Sequence, residues 1–363
     1  MKILVIWRRL SIGGVNAGWR NRAAYFYKHG ITTDFLYTED NGGRVMMESV
    51  SQLFITSNNE DILRLLKENN YDCLINIDYQ EMYPLIAQSG FAGKIIFESR
   101  VPIKSYVRRQ YKNLGKLRPS YIVVPSNFQK SLVNSVLSTK TIPVQVIHNT
   151  VNTTLFKPMK KEHCFEVPEP LLPQNKKIIA WIGNINNLQK NWEFLLKVVS
   201  RITTYRNDLY FWIIGGIKSK EKERFLLECK RLGIEKYLTW FPSISYKDLP
   251  LYYNKVAYSG GCLFSTTKFE SFGNIFTEAM ACGCPVIAPQ NSAIPEVITD
   301  DCSGKLYKTN NTKMAIRQIH SLLDDTKTRN RLIKNALLEV EEKFSTEVSG
   351  KQYVEFIKQI ING

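Results

Sequence analysis

Short continuous apolar runs recur along the chain, each followed by a glycine-bearing or polar loop and then by a helical stretch. A parallel sheet covered by helices on both faces is the arrangement that buries such runs completely. The first run is Ile3-Leu4-Val5-Ile6, followed by Ser11-Ile12-Gly13-Gly14 and a helical stretch over residues 19–29. Residues 34–37, 73–77, 94–97, 121–124 and 144–147 read as further strands, with helices over 60–69 and 127–137. A second series opens with Lys177-Ile-Ile-Ala-Trp-Ile182 and a helix from Trp192, and continues through strands at 209–214, 237–241, 260–264 and 285–287. Helices over 220–232 and 246–253 lie between them, and 326–344 and 347–361 close the chain. Residues 159–176 lose all periodicity and carry Pro168, Pro170 and Pro173, which marks a linker. The expected architecture is α/β, with a doubly wound Rossmann-like domain over 1–158, a linker over 159–176 and a second such domain over 177–344. With 363 residues, each half has length enough for its own core.

The most specific stretch is Phe269-Glu270-Ser271-Phe272-Gly273-Asn274-Ile275-Phe276-Thr277-Glu278, which reads as a loop entering a helix at Asn274 that ends near Gly283. Such a start leaves the amides of Ile275, Phe276 and Thr277 without intrahelical partners, and Gly273 lets an anion approach them, so a phosphate seat is expected. Glu270 stands before the helix and Glu278 one turn inside it. Carboxylates accept hydrogen bonds in pairs, which suits the vicinal hydroxyls of a sugar or a ribose. The plainer alternative is an acid-capped helix that packs Phe272, Phe276 and Met280 into a core.

The run from Glu270 to Glu278, with Ala279-Met280-Ala281-Cys282-Gly283-Cys284-Pro285-Val286-Ile287 after it, resembles the E-x7-E motif of family 4 retaining glycosyltransferases. The resemblance implies a GT-B fold, two Rossmann-like domains facing across a cleft, with the helix at 345–363 crossing back to the first. It implies that Glu270 holds the hydroxyls of the donor sugar, that Glu278 holds the ribose, and that Phe272, Gly273, Asn274 and Ile275 line the diphosphate seat. In the loop Gly183-Asn184-Ile185-Asn186-Asn187-Leu188-Gln189-Lys190, Lys190 matches a diphosphate-gripping lysine, while Asn184 stands where the family has an arginine. A neutral amide stabilises a departing diphosphate less than a guanidinium does. Gly215 after the strand at 209–214, and Ile244 in Pro242-Ser243-Ile244, fall where the family binds the nucleotide and its base. Gly13 and Gly14 resemble the loop that closes over the diphosphate, with a plain tight turn as the alternative.

Glu98 and Arg100 follow the strand at 94–97 and are placed toward the cleft. Arg100 stands near the position of a family histidine close to the reacting sugar, and an ordinary surface pair is the competing reading. His148, at a strand end beside Asn149, reads more readily as structural than as a catalytic base. Residues 103–118 hold Lys104, Arg108, Arg109, Lys112, Lys116 and Arg118 without one acid. Such a helix suits an anionic membrane or an acidic acceptor, or is simply a solvated basic face.

Composition narrows the classes further. A net charge of +16 predicts an anionic partner. Nucleic acid is not expected, because no recognition motif accompanies the charge. Without a complete G-x-G-x-x-G, a nicotinamide or flavin has little support. Seven cysteines fit neither a disulfide framework nor zinc spacing, which points to a reducing, cytoplasmic setting, peripheral at the inner face of a membrane at most. The resulting expectation is a retaining, metal-independent transfer of a sugar from a UDP-sugar or GDP-sugar, a substrate and not a cofactor, to a glycan or lipid-linked acceptor hydroxyl. A catalytically weak GT-B protein kept for binding or assembly is the alternative, with epimerase chemistry on the same fold a third.

Overall fold

The computed structural model describes residues 1–47, 52–112, 114–115, 117–137, 142–162 and 175–362. Most of the expected linker, and Lys116 of the basic stretch, lie outside the described residues. The chain divides into two compact units, Met1–Thr150 with Lys343–Gly363, and Val151–Glu342.

The first unit runs β1 (Lys2–Leu10), α1 (Gly14–Lys28), β2 (Thr32–Asp40), α2 (Arg44–Met47), β3 (Leu53–Ile55), α3 (Asn59–Glu68), β4 (Cys73–Ile77), α4 (Tyr83–Ser89), β5 (Lys94–Glu98), α5 (Lys104–Lys112), β6 (Tyr121–Val124), α6 (Asn127–Asn134) and β7 (Val144–Val146). The strands lie in the order β3-β2-β1-β4-β5-β6-β7, and every pair is parallel. Helix boundaries follow local chemistry: the Asn58 side chain accepts from the amides of Glu60 and Asp61 to open α3, and Ser126 accepts from Gln129 to open α6.

The second unit runs β8 (Lys177–Ile182), α7 (Trp192–Ile202), β9 (Leu209–Ile214), α8 (Lys222–Arg231), β10 (Leu238–Phe241), α9 (Leu249–Tyr258), β11 (Cys262–Phe264), α10 (Asn274–Ala281), β12 (Val286–Pro289), α11 (Ile294–Val297), β13 (Lys305–Tyr307), α12 (Thr312–Asp324) and α13 (Thr326–Lys343). Its sheet is parallel in the order β10-β9-β8-β11-β12-β13. One large apolar cluster fills the space between this sheet and α7, α8 and α12, with Trp192, Leu195, Val199, Phe225, Ile319 and Leu322 all nearly inaccessible.

The last helix, α14 (Thr346–Asn362), belongs to the first unit. Gly350 lies against α1 so closely that a Cβ there would sit 2.7 Å from the Tyr25 ring. The Tyr353 ring meets Trp19 and Phe26 at centroid distances of 5.7 and 5.6 Å.

Several expected boundaries move. The helix expected from residue 19 starts at Gly14, so Gly13 and Gly14 form a helix entrance and not a tight turn. Residues 103–118 are not one helix: α5 ends at Lys112, and Arg118 donates to the carbonyls of Gly115 and Leu117. The helix expected over 246–253 starts later, at Leu249 with Pro250 in its first turn, because Ser245 and Asp248 form a turn ahead of it. Residues 151–158 group with the second unit and not the first. There Phe156 packs edge-on to Tyr246 and Asn254 donates to the carbonyl of Lys157.

Candidate functional site

In an open parallel sheet, ligands bind beyond the carboxyl ends of the strands where the strand order reverses. In the second unit that point falls between β8 and β11. The loops leaving these two strands carry Lys190 and Glu270, and the structure brings them together: Lys190 Nζ lies 2.5 Å from Glu270 Oε1, with the side chains 15% and 12% exposed. Thr267 Oγ1 donates to the same oxygen at 3.2 Å. The two loops are also laced together, with Thr266 Oγ1 donating to Lys190 O at 2.7 Å and the Lys268 amide to Gln189 O at 2.7 Å.

Glycine is required where these loops pass. Gly215 has φ +104°, and a Cβ on it would stand 2.6 Å from the carbonyl oxygen of Gly183. A Cβ on Gly183 would meet the Lys190 stem at 3.1 Å, so the absence of a side chain lets that stem lie across the loop. Asn184 is exposed beside it, and no cation occupies that place in the chain. Ile244 is half-buried in the loop after β10, where Gly215 N donates to Phe241 O.

Gly273, at φ +95°, turns the chain into α10. Phe272 and Phe276 are buried, whereas Gly273, Asn274 and Ile275 remain partly exposed at the helix entrance. Of the three amides expected to be open, that of Phe276 is closed by Gly273 O at 3.0 Å, because the first turn tightens. Glu278 is 5% exposed, and the only described hydrogen bond to its carboxylate is a 3.3 Å contact from Tyr253 Oη, a residue fully enclosed. Burial pushes the Glu278 carboxyl up to about 7, and the Tyr253 hydroxyl offsets this only in part. Glu278 therefore faces the interior, one turn behind the helix entrance, while Glu270 faces Lys190.

In the first unit, Glu98 and Arg100 do pair, but in the interior. Glu98, 2% exposed, accepts Trp19 Nε1 at 3.1 Å, Arg100 Nε at 2.7 Å and Tyr353 Oη at 2.8 Å, with Arg22 Nη1 3.8 Å away. Burial pushes this carboxyl up, yet the Arg100 and Arg22 charges and the Tyr353 hydroxyl together hold it below the ordinary value. Arg100 also donates to Asn149 Oδ1 at 2.9 Å. The pair is therefore neither a surface pair nor a free cation. His148 Nδ1 bonds Pro125 O at 2.9 Å while its own carbonyl accepts from Arg22 and Ser349, a structural setting. Lys104, Arg108, Arg109 and Lys112 are exposed on α5, whose Val107 and Gln110 face inward. Gly13 and Gly14 are exposed at the entrance of α1.

Sequence reasoning overlooked Thr267, Lys268 and Tyr253 at this site. Lys268 was within sight, two residues before Glu270. Tyr253 comes from α9, and no local pattern ties it to Glu278. It also overlooked Glu221, whose carboxylate accepts the amide of Asn187 across 34 residues of sequence.

The two parallel-sheet units make the fold that of GT-B glycosyltransferases, and residues 165–338 match the family model of glycosyl transferases group 1. Among solved structures, Anabaena Alr3699/HepE in complex with UDP and glucose superposes with a TM-score of 0.86 over 99% of both chains, at 16% identity. The uncharacterized glycosyltransferase MJ1607 of Methanocaldococcus jannaschii is 24% identical over 65% of this chain and 59% of its own length. D-inositol 3-phosphate glycosyltransferase of Mycolicibacterium smegmatis is 28% identical over 45% of this chain and 36% of its own. The chain thus spans less than two thirds of the length of either curated relative. Among the described residues no helix is long and apolar enough to cross a membrane.

Proposed function

We propose that this chain is a retaining glycosyltransferase of family 4 that moves a sugar from a nucleoside diphosphate donor, a UDP-sugar or GDP-sugar, to an acceptor hydroxyl. The observation that carries the proposal is the meeting of Lys190 and Glu270 at the switch point of the second sheet, beside the glycine-turned entrance of α10. Lys190 and the amides at the helix entrance neutralise the diphosphate, Glu270 accepts the hydroxyls of the donor sugar, and Glu278 accepts those of the ribose. As the bond from the anomeric carbon to the diphosphate breaks, the acceptor oxygen bonds that carbon from the same face and its proton passes to a phosphate oxygen. No protein nucleophile and no metal ion is assigned a step. HepE, whose structure holds UDP and glucose, shares the fold and favours a UDP-sugar. Arg100 is left out of the chemistry, since its guanidinium is committed to Glu98 and Asn149. The acceptor is a glycan or a lipid-linked glycan, and the exposed cations of α5 draw the enzyme to an anionic membrane surface.

One observation favours a second reading. Lys190 is already paired with Glu270 and Asn184 adds no charge, which fits a binding or assembly protein with weak turnover. A panel of UDP-, GDP- and ADP-sugars, followed for binding and slow hydrolysis, decides between them. Binding with hydrolysis that Lys190→Ala abolishes supports the transferase; absence of turnover with every donor and candidate acceptor refutes it.

A further inference from the structure

The loop that presents Lys190 is braced from both sides. On one side stands the loop after β9. A Cβ on Gly216 would lie 2.6 Å from Ile185 Cγ1, so this loop lies directly on that of Gly183–Lys190. Ser219, 8% exposed, donates its hydroxyl to Ile185 O and accepts the amide of Glu221 at 3.1 Å. Both oxygens of Glu221 accept the amide of Asn187 at 3.1 Å, and Oε2 also accepts Trp192 Nε1 at 2.8 Å. On the other side, Lys268 Nζ donates to the carbonyl of Asn187 at 2.8 Å. The N–H and C=O of Asn187 belong to successive peptide planes. Each is bound by a charge of the sign that its dipole favours, and charge-assisted bonds are about twice as strong as neutral ones. From Asn187 to Lys190 the chain is a tight turn, with the Gln189 and Lys190 amides both returning to the Asn186 side chain, at 2.8 and 3.2 Å. Whatever fixes Asn187 therefore fixes the point from which the Lys190 stem crosses Gly183.

We propose that Glu221 and Lys268 are positioning residues, a clasp of opposite charges on the Asn187 backbone that aims Lys190 at the donor diphosphate. The clasp rests on the reading that Lys190 grips that diphosphate. It explains why a carboxylate and an ammonium, whose described side-chain hydrogen bonds reach Asn187 and Trp192, converge on one residue of an irregular loop, where a backbone left free would spread the ammonium over many positions.

The test uses the full chain with UDP, or with GDP if only GDP binds. Glu221→Ala is expected to weaken nucleotide binding about tenfold, as for the loss of a contact made to a charged group. In a Lys190→Ala background the same substitution is expected to cost less than about twofold, because the clasp acts through that lysine. Glu221→Gln keeps one acceptor oxygen and the shape, and is expected to restore affinity to within about threefold of the parent. It also serves if the alanine variant fails to fold. Independently of any ligand, hydrogen exchange at Asn187, Gln189 and Lys190 should rise in Glu221→Ala while that of β8 stays unchanged. Unchanged exchange at Asn187 overturns the clasp. An equal loss of affinity with and without Lys190 overturns its action through that residue. Lys190→Ala that binds nucleotide as the parent does removes the diphosphate reading instead, and the exchange at Asn187 still decides whether the clasp holds the loop.

Discussion

Replacing Glu278 by glutamine should stabilise the nucleotide-free protein, and by an amount that depends on pH. The Glu278 carboxyl titrates at about 7 in the fold, against 4.5 for the ordinary group, because burial disfavours its ionised form. The folded protein therefore holds this proton more tightly than the unfolded chain does, so unfolding releases a proton between pH 4.5 and 7 and stability falls as pH rises through that window. Below 4.5 both states are protonated and the group costs nothing. Above 7 the cost is complete, on the order of 3 kcal/mol from the difference between the two values. Glutamine keeps an acceptor for the Tyr253 hydroxyl and carries no charge, so the cost disappears with it. Urea unfolding of parent and Glu278→Gln at pH 5 and pH 8 measures the effect: the advantage of the variant should be small at pH 5 and roughly 2–3 kcal/mol larger at pH 8. An advantage that is the same at both values would refute the reasoning. So would one that is larger at pH 5. If Glu278 receives ribose hydroxyls, as proposed, the same variant should bind UDP less well than the parent at pH 8, since those hydroxyls bond a charged carboxylate more strongly than a neutral amide.

Other outcomes follow from the same geometry. Lys190→Ala should lower turnover roughly a hundredfold, the usual effect of removing one charge-assisted contact at a developing anion, while Asn184→Arg should leave turnover unchanged or raise it; donor consumption measures both. Glu270→Ala should abolish transfer with nucleotide affinity nearly intact, and calorimetry showing a loss as large as that of Glu278→Ala would cancel the separate roles. Arg108, Arg109 and Lys112 replaced together by glutamate should reduce sedimentation with anionic vesicles in a salt-dependent manner, and unchanged binding would return α5 to a solvated face. Tyr353→Phe should lower stability by about 1.5–3 kcal/mol, the cost of one hydrogen bond to a buried charge, as read from denaturant midpoints.

Strands were the most legible part of this chain. β4, β6, β8 and β9 fall where the mainly apolar runs place them, because a strand buried on both faces leaves few polar positions at which to be misread; Asn76 in β4 is one, and it is buried. β3 was missed: Leu53–Ile55 is only half-buried at a sheet edge, and three residues are too few for a pattern. α12 was missed although its signals were present, an Asn311 cap followed by Ala315, Ile316, Ile319, Leu322 and Leu323 on one face. At the candidate site, the meeting of Lys190 and Glu270 was legible only through a whole motif, since their contact spans 80 residues. The interior setting of Arg100 was not legible. Its partners Glu98, Asn149 and, through Glu98, Tyr353 come from three stretches of chain, and only the folded first unit joins them.

The return of α14 to the first unit has a consequence for synthesis on the ribosome. The second unit is in effect an insertion of 192 residues, Val151–Glu342, within the first, and all of its strands and helices emerge before the first unit can be completed. Until Tyr353 arrives, Glu98 lacks one of its donors and the apolar face of α1 around Trp19 and Phe26 lacks its cover. The nascent first unit must therefore wait, part-built and with aromatic surface open to other chains, while the second unit has its entire sequence in hand.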